Sequence, residues 1–572
     1  MQEYSAAMHI RYLFPTVILL FSMFAPVNSA TETVRAWITT TTDTWVARGL
    51  EPIDSAVFSA DTSAPLMPIV VNDKIRYQKW EGAGASFTDA AAWLIDSVVK
   101  PELRDSVMTS LFDPAKGIGV SYLRNPMGSS DLTVSRYTYD DNPADQADST
   151  LPHFSIDHDR ADVLPLTKKA RELNPALTLQ MNAWSPPAWM KSTNSLVAGS
   201  ILPQYYGYHA NYYVKTIQAY EAEGVHINYV TLNNEPSCCD SIDYPSVSVM
   251  GADVMRTMLK SYWLPAFAAN KLTTKILLLD FNPDHVSLVT PFLADAQIQN
   301  SPYIGGVAFH GYGGDPSIQT TVYDTYGYNV YLTEWSGFTD GRQQQEADMR
   351  KIVSVTRNYA QSFVKWPVAT DEEFGPHVGG CDGCRGLMRV WRYDPQKRGT
   401  VDFRIDYYDV GHITKFVTNG AYRIFSTYYS QILNVAFVNP DKSVALLVFN
   451  DTLADRQIKV VWAGQSFSYT VPSKASITFC WSPTVGLAQR FISSRDLDGQ
   501  IRISRTRGGF GIALPPDRTF SLGLLDTKGR ALVQRTVQGK EAFLDTRKFS
   551  PGIYVVSLVC GEARWERRVV VE

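Results

Sequence analysis

The run Ile227-Asn228-Tyr229-Val230-Thr231-Leu232-Asn233-Asn234-Glu235-Pro236 decides the fold. Its first seven residues are rich in β-branched, aromatic and leucine side chains. They are too few for a helix and end on a turn-forming polar group, as a strand buried on both faces does. An acid follows at the strand's end. The same pattern returns at Asn329-Val330-Tyr331-Leu332-Thr333, followed by Glu334 and Trp335. Working outward from these two, β-prone runs lie at 80–86, 118–125, 177–183, 227–233, 275–281, 306–310, 329–333 and 362–366. Between them, 89–112, 204–224, 251–270 and 343–360 carry apolar residues at helical spacing. Eight strand–helix units in series point to a closed parallel (β/α)8 barrel, the TIM-barrel architecture, over residues 76–399. A doubly wound open sheet seldom needs eight. Gly82-Ala83-Gly84 lacks the remainder of either nucleotide-binding motif, so close packing explains it better than a phosphate loop.

The flanks differ in character. Residues 400–481 read as short strands separated by turns, the rhythm of a side β-sandwich, and strand-like pieces in 31–75 are expected to join it. Residues 482–572 form a further small all-β unit. They hold 15 Lys and Arg against 9 Asp and Glu, a net of +6 in a chain whose net charge is −4. That change of sign marks a separate module. The overall charge argues against a general nucleic-acid binder. At the start, Arg11 precedes an apolar stretch over 12–24 and the small residues Ser29 and Ala30, so 1–30 is expected to be a signal peptide. The apolar stretch is short for a membrane span, and no other stretch reaches that length. The protein is therefore expected outside the cell or on its surface.

Cys238, Cys239, Cys381, Cys384, Cys480 and Cys560 would meet oxidising conditions there, which favours disulfides. The alternatives are a local Cys381–Cys384 bridge, a cross-link to Cys238 or Cys239, or a four-thiolate zinc site. The zinc site is disfavoured by the missing spacer between Cys238 and Cys239.

In a parallel barrel the reactive groups stand at the C-terminal ends of the strands. The second strand ends at Arg124, with Asp131 in its loop. Trp184 follows the third, Asn234 and Glu235 the fourth, and His310 and Tyr312 the sixth. Glu334 follows the seventh, and Trp366 ends the eighth. Two acids thus share one mouth, as glycoside cleavage requires: one protonates the leaving oxygen and the other attacks or activates water. Arg124 and His310 are expected to keep Glu334 ionised, and Glu235 to hold its proton in a drier, aromatic setting. A gap of about 5–5.5 Å between the carboxyls would mean retention of configuration, and one above roughly 6.5 Å inversion. No metal and no organic cofactor is expected. A non-catalytic carbohydrate-binding surface protein on a barrel scaffold is the rival from another class.

Several stretches resemble glycoside hydrolase family 30: 84–90 (Gly-Ala-Ser-Phe-Thr-Asp-Ala), 124–131 (Arg-Asn-Pro-Met-Gly-Ser-Ser-Asp), 184–191 (Trp-Ser-Pro-Pro-Ala-Trp-Met-Lys), 234–236 (Asn-Glu-Pro), 332–335 (Leu-Thr-Glu-Trp) and 407–412 (Tyr-Tyr-Asp-Val-Gly-His). The likeness runs from about residue 79 to 481. It implies a barrel fused to a side β-sandwich, and retaining hydrolysis of a β-glucan or β-glucoside. Endo-β-1,6-glucan is slightly ahead of glucosylceramide-type substrates, with xylan third. It further implies Glu235 as acid/base and Glu334 as nucleophile. Asp131, Trp184, Asn234 and Trp366 would hold the reacting sugar, and Arg124, His310 and Tyr312 would line the nucleophile. Ala83 stands where many members carry an aromatic, and Gly311 where glucosylceramidase-like members can have a bulky one, which leaves the aglycone side open. The Gly379–Cys384 loop would border the cleft. More loosely, 524–530 and 550–556 resemble bacterial sorting domains, so an outer-membrane secretion system is the expected reader of the C-terminal module. A carbohydrate-binding module is the alternative.

Overall fold

The computed structural model describes residues 33–60, 67–238, 243–482, 501–514, 519–527, 529–538, 540–560 and 563–571. The expected signal peptide and residues 483–500 of the expected C-terminal module fall outside them. No helix among the described residues is long and apolar enough to cross a membrane.

The centre is a closed parallel barrel of β1 (Gly82–Ser86), β2 (Tyr122–Pro126), β3 (Thr178–Asn182), β4 (Tyr229–Thr231), β5 (Lys275–Phe281), β6 (Ile304–His310), β7 (Val330–Glu334) and β8 (Ala360–Pro367). Each strand pairs in parallel with the next, and β8 closes on β1 through Ser362 and Gly82. All eight predicted runs overlap a barrel strand, and the bounds differ by up to four residues at an end. The strands are buried on both faces, which is why their sequences run apolar rather than alternate. Gly82 and Gly84 confirm the packing reading of the first strand. A Cβ on Gly84 would stand 2.0 Å from the Tyr122 carbonyl oxygen, so only glycine lets β1 approach β2.

A nine-stranded sheet flanks the barrel and brings together both sides of it in sequence. Its order is Gln465–Val471, Arg456–Trp462, Pro68–Lys79, Tyr422–Ser426, Ile432–Val438, Val444–Asn450, Ser476–Trp481, Thr33–Thr41 and Val46–Val57. Its strands enclose one apolar core that includes Val34, Ile69, Ile424, Leu446, Ile477 and Phe479.

Residues 400–421 depart from the expected sandwich. Val401–Phe403 pairs with Met388–Val390 in a small separate sheet. It is followed by a helix (Ile405–Thr414) whose residues are buried almost all round. A helix wedged between barrel and sheet shows no amphipathic period, so its aromatic and branched residues read as strand.

The last described residues form a second two-sheet unit, Arg502–Thr506, Gly509–Ala513 and Glu541–Asp545 against Ala531–Gln538, Thr519–Leu525, Gly552–Cys560 and Ala563–Val571. It has its own core around Phe510, Phe520, Leu522, Leu544, Val556 and Trp565. Cys381 and Cys384 are joined in a disulfide, which takes their thiols from any zinc site. Cys238 is also disulfide-bonded, and Cys480 is free and buried.

Candidate active site

The site is assembled at the C-terminal end of the barrel, each side chain delivered by a different strand. Arg124 lies within β2 and is fully buried. Its guanidinium gives Nη1 to Glu334 (2.7 Å) and Nη2 to Asn234 (2.7 Å) and Asp280 (2.9 Å). Three loops and strands are thereby fixed to one planar fork. Glu334, the last residue of β7, also accepts from the Tyr312 hydroxyl at 2.9 Å. Glu235 leaves β4 in a left-handed conformation (φ 42°), an uncommon one for a side-chain-bearing residue. Its amide holds that turn by donating to the Asp280 carbonyl at 3.0 Å, and the Asn234 amide donates to Ala183 at 2.8 Å.

His310 bridges the acids. Its Nδ1 lies 2.8 Å from Glu235 Oε1 and 3.8 Å from Glu334 Oε1, and its Nε2 lies 3.2 Å from Asp280. Burial works to lower the His310 pKa, but Glu334, Asp280 and Glu235 overcome it and carry it to about 9. At neutral pH the ring is therefore an imidazolium donating on both nitrogens. Arg124 Nη2 stands only 3.3 Å from Nε2, and Asp280 between the two cations offsets their repulsion. Oxygens of Glu235 and Glu334 and a His310 nitrogen lie within 4.8 Å of one another.

Asp280 was not among the residues expected from sequence. It accepts from Thr231 and Thr333 (2.9 Å each) as well as from Arg124. Burial would raise its pKa, but Arg124 and His310 prevail and hold it well below the carboxylate range. It sits at the end of β5, within the 275–281 run. Its place at a strand's C-terminal end is the signal in the sequence that marks it.

The sugar wall lies opposite. Trp184 and Trp366 stack at 4.7 Å, with the Arg124 guanidinium 4.9 Å from the Trp184 ring. The Trp184 loop is pinned by buried Lys191, which donates to Ser185, Leu196 and Ser246. Asp131 meets the Trp366 side chain. Burial and then the Glu334 charge raise the Asp131 pKa to about 7, against the amides of Leu132 and Cys381. Every residue proposed from sequence converges here. Asp131, Trp184, Asn234, Glu235, Tyr312, Glu334 and Trp366 line one cavity of about 270 Å³, and Arg124 and His310 hydrogen-bond to its two acids. Tyr244, Phe338, Gly380, Cys381 and Cys384 complete the lining. The last three belong to the loop expected to border the cleft, whereas Tyr244 and Phe338 come from loops with no strand pattern to mark them. Gly311, where an aromatic was the alternative, has no room for one: a Cβ there would come 2.8 Å from the Trp335 ring.

The environments of the two acids differ from expectation. Glu235 is the wetter one, its side chain 15% exposed against 9% for Glu334. Burial raises the Glu334 pKa; His310 and Arg124 pull it down, Glu235 pushes it up again, and the net displacement is upward. The hydrogen bonds rather than dryness separate the pair. Glu334 takes donors from Arg124 and Tyr312 as well as the longer His310 approach, a set suited to a carboxylate.

The family-30 glycosyl hydrolase TIM-barrel domain matches residues 80–350, and the β-sandwich domain of the same family matches 420–479. An endo-1,6-β-D-glucanase of Trichoderma harzianum is 30% identical over 70% of this chain and 84% of its own length. One of Aspergillus fumigatus is 29% identical over the same shares. The mouse lysosomal acid glucosylceramidase is 26% identical over 71% of this chain and 82% of its own. The solved structure of an endo-β1,6-glucanase superposes with a TM-score of 0.70 at 28% identity, covering 79% of this chain and 99% of that one. These likenesses span the barrel and its side sheet together, so the chain belongs to glycosyl hydrolase family 30 and is a glycosyl hydrolase.

Proposed function

We propose that the enzyme hydrolyses a β-1,6-linked glucan with retention of configuration, using Glu334 as nucleophile and Glu235 as acid/base. The observation that supports the mechanism is that an oxygen of Glu235 and one of Glu334 lie within 4.8 Å of each other, a closeness that favours the about 5–5.5 Å carboxyl spacing of retaining enzymes over the roughly 6.5 Å or more of inverting ones. In the first step a Glu334 oxygen bonds to the anomeric carbon as the glycosidic bond breaks, and Glu235 gives its proton to the departing oxygen. Glu235 Oε1 is taken by His310, which leaves Oε2 for that transfer. Glu235, now a carboxylate, then takes a proton from water; the water oxygen bonds to the anomeric carbon and Glu334 is released. Asn234, fixed by Arg124, is suited to the sugar 2-hydroxyl, where a hydrogen bond strengthens in the transition state.

The glucan reading is supported by relatives. The two endo-1,6-β-D-glucanases stand at 29–30% identity against 26% for the glucosylceramidase. Asp131, Trp184 and Trp366 are assigned to the reacting sugar, and Tyr312 and Phe338 to the next unit. We assign the protein to the extracellular space or cell surface on the strength of the leader-like residues 11–30, and the C-terminal module to recognition by an outer-membrane export system.

The test is product analysis on β-1,6-glucan, β-1,3-glucan, xylan and glucosylceramide, with the first-formed anomer followed by NMR and a 2-fluoro-glucosyl donor used to label the protein. β-Anomeric products and a peptide adduct at Glu334 are expected. An α-anomer as first product would overturn retention, and turnover on xylan alone would overturn the substrate.

A further inference from the structure

We propose that the Cys381–Cys384 disulfide is a specificity element of this site: it clamps the 378–385 loop onto the sugar wall and thereby sets affinity for the reacting sugar. The proposal rests on the glycosidase reading above.

Four observations place it there. Gly380, Cys381 and Cys384 line the same cavity as the two acids. Cys384 belongs to the small apolar cluster of Ala90, Leu132, Trp184 and Trp366, and Cys381 packs against it, so the disulfide backs directly onto the stacked indoles. The sulfurs present a polarizable, apolar face. The Cys381 amide hydrogen-bonds the Asp131 carboxyl, and the Val378 amide donates to the Asp131 carbonyl at 3.1 Å. Gly379 and Gly380 both take positive φ (70° and 76°), and their would-be Cβ atoms would stand 1.6 Å from the Asp243 carbonyl oxygen and 2.3 Å from Asp131 Cβ. The backbone here is pressed against the wall as closely as glycine permits.

The ends of the loop are held independently. Arg385 donates its amide to Gly337 at 3.0 Å and pairs with Asp340. The turn between the cysteines is not: Asp382 is exposed, and a Cβ on Gly383 would meet nothing within 4 Å. The S–S bond is what keeps that turn, and hence the Cys381 amide, in place against Asp131. With the bond opened, Asp131 loses a donor and Trp366 loses part of its support, while Glu235 and Glu334, held by Arg124 and His310, stay where they are. Loss of affinity without loss of chemistry follows.

The experiment compares the full-length enzyme with its Cys381→Ala/Cys384→Ala variant on soluble β-1,6-glucan and an aryl β-glucoside. Wild type is also assayed before and after dithiothreitol, which closes to its ring disulfide as it gives two electrons and two protons to the S–S bond. A KM about tenfold higher with kcat within about twofold is expected in the variant. Reduced wild type should match it and return on reoxidation, and dithiothreitol should leave the variant unchanged. Dithiothreitol also opens the Cys238 bridge, so a Cys381→Ser/Cys384→Ser variant carries the test should the alanine form fail to fold. An unchanged KM in either form overturns the proposal. So does a fall of kcat in step with the melting temperature at constant KM, which would mark a purely structural bridge. Glu334→Gln separates the two readings. If it keeps turnover, the mechanism has failed. If it is inactive while KM ignores the disulfide, only the wall has.

Discussion

Asp280 carries the electrostatics of the site without lining the cavity. It is buried between Arg124 and His310, and without its charge two cations 3.3 Å apart would face each other. Asp280→Asn is therefore expected to destabilise the fold by about 3–5 kcal/mol, the range for breaking a buried ion pair. It should also move the alkaline limb of kcat/KM to lower pH. The sign follows from His310. Its folded pKa of about 9 lies above the ordinary histidine value of about 6.5, so the imidazolium contributes stability in full below about pH 6.5 and loses it as pH rises through 9. Wild type should lose both activity and melting temperature across that window, and Asp280→Asn should lose them earlier. Rate profiles and melts from pH 5 to 10 check this, and a variant profile coinciding with wild type would refute the linkage. Glu235→Gln should cost about 10²–10⁴-fold in kcat, the usual contribution of a general acid. An aryl leaving group that needs no proton should recover most of the first step, and burst kinetics would show it.

At the scale of elements, the strands were legible because their residues obey one rule over a short span: they are apolar on both faces and end in a polar turn, so eight repeats identified a barrel. The helix Ile405–Thr414 was not legible, because its neighbours determine it. Its acids Asp406 and Asp409 are buried with Asp348 of the helix Gly341–Arg357 around Lys365 of β8. Lys365 Nζ stands 2.6 Å from Asp406 and 2.8 Å from Asp348, and Asp348 also accepts from the Trp335 indole beside the nucleophile. No local pattern in a sequence announces that one lysine from residue 365 will offset acids at 348 and 406. Burial raises the Asp406 pKa to about 6 despite Lys365, and raises Asp409 further still. These acids hold protons in the folded state that an unfolded chain releases near pH 4, so their contribution weakens as pH climbs from about 4 through 6. Lys365→Met removes the cation that Asp348 and Asp406 both bond and is expected to cost about 3–5 kcal/mol. The cost should be larger at pH 8, where Asp406 is ionised, than at pH 5. Urea midpoints at the two pH values decide it; an equal cost at both would mean that the lysine acts through packing alone.

Taken whole, the molecule divides in a way that the order of its sequence hides. The strand Thr33–Thr41 pairs with Ser476–Trp481, and Pro68–Lys79 pairs with Tyr422–Ser426 on one side and Arg456–Trp462 on the other. Thr33–Thr41 and Pro68–Lys79 are thus interior members of the flanking sheet, and the barrel inserts between two halves of one structure. A chain beginning at residue 80 would leave strand edges and the core around Ile69, Ile424 and Phe479 open to water, and should be recovered aggregated and inactive. The C-terminal unit is the opposite case. It keeps its own core, and it meets the remainder through limited contacts such as Gly529 beside the Phe425 ring and Asp526 near Arg357. A chain ending at residue 482 removes no strand of the barrel or flanking sheet and no residue of the cavity. It should fold, keep kcat and KM within about twofold of full length, and lose only a few degrees of melting temperature, since surface contacts of this kind contribute about 1 kcal/mol each or less. Size-exclusion profiles, melts and kinetics on both truncations form one experiment. If the shorter C-terminal form lost the site while the N-terminal truncation kept it, the division of the molecule drawn from its strand order would be wrong.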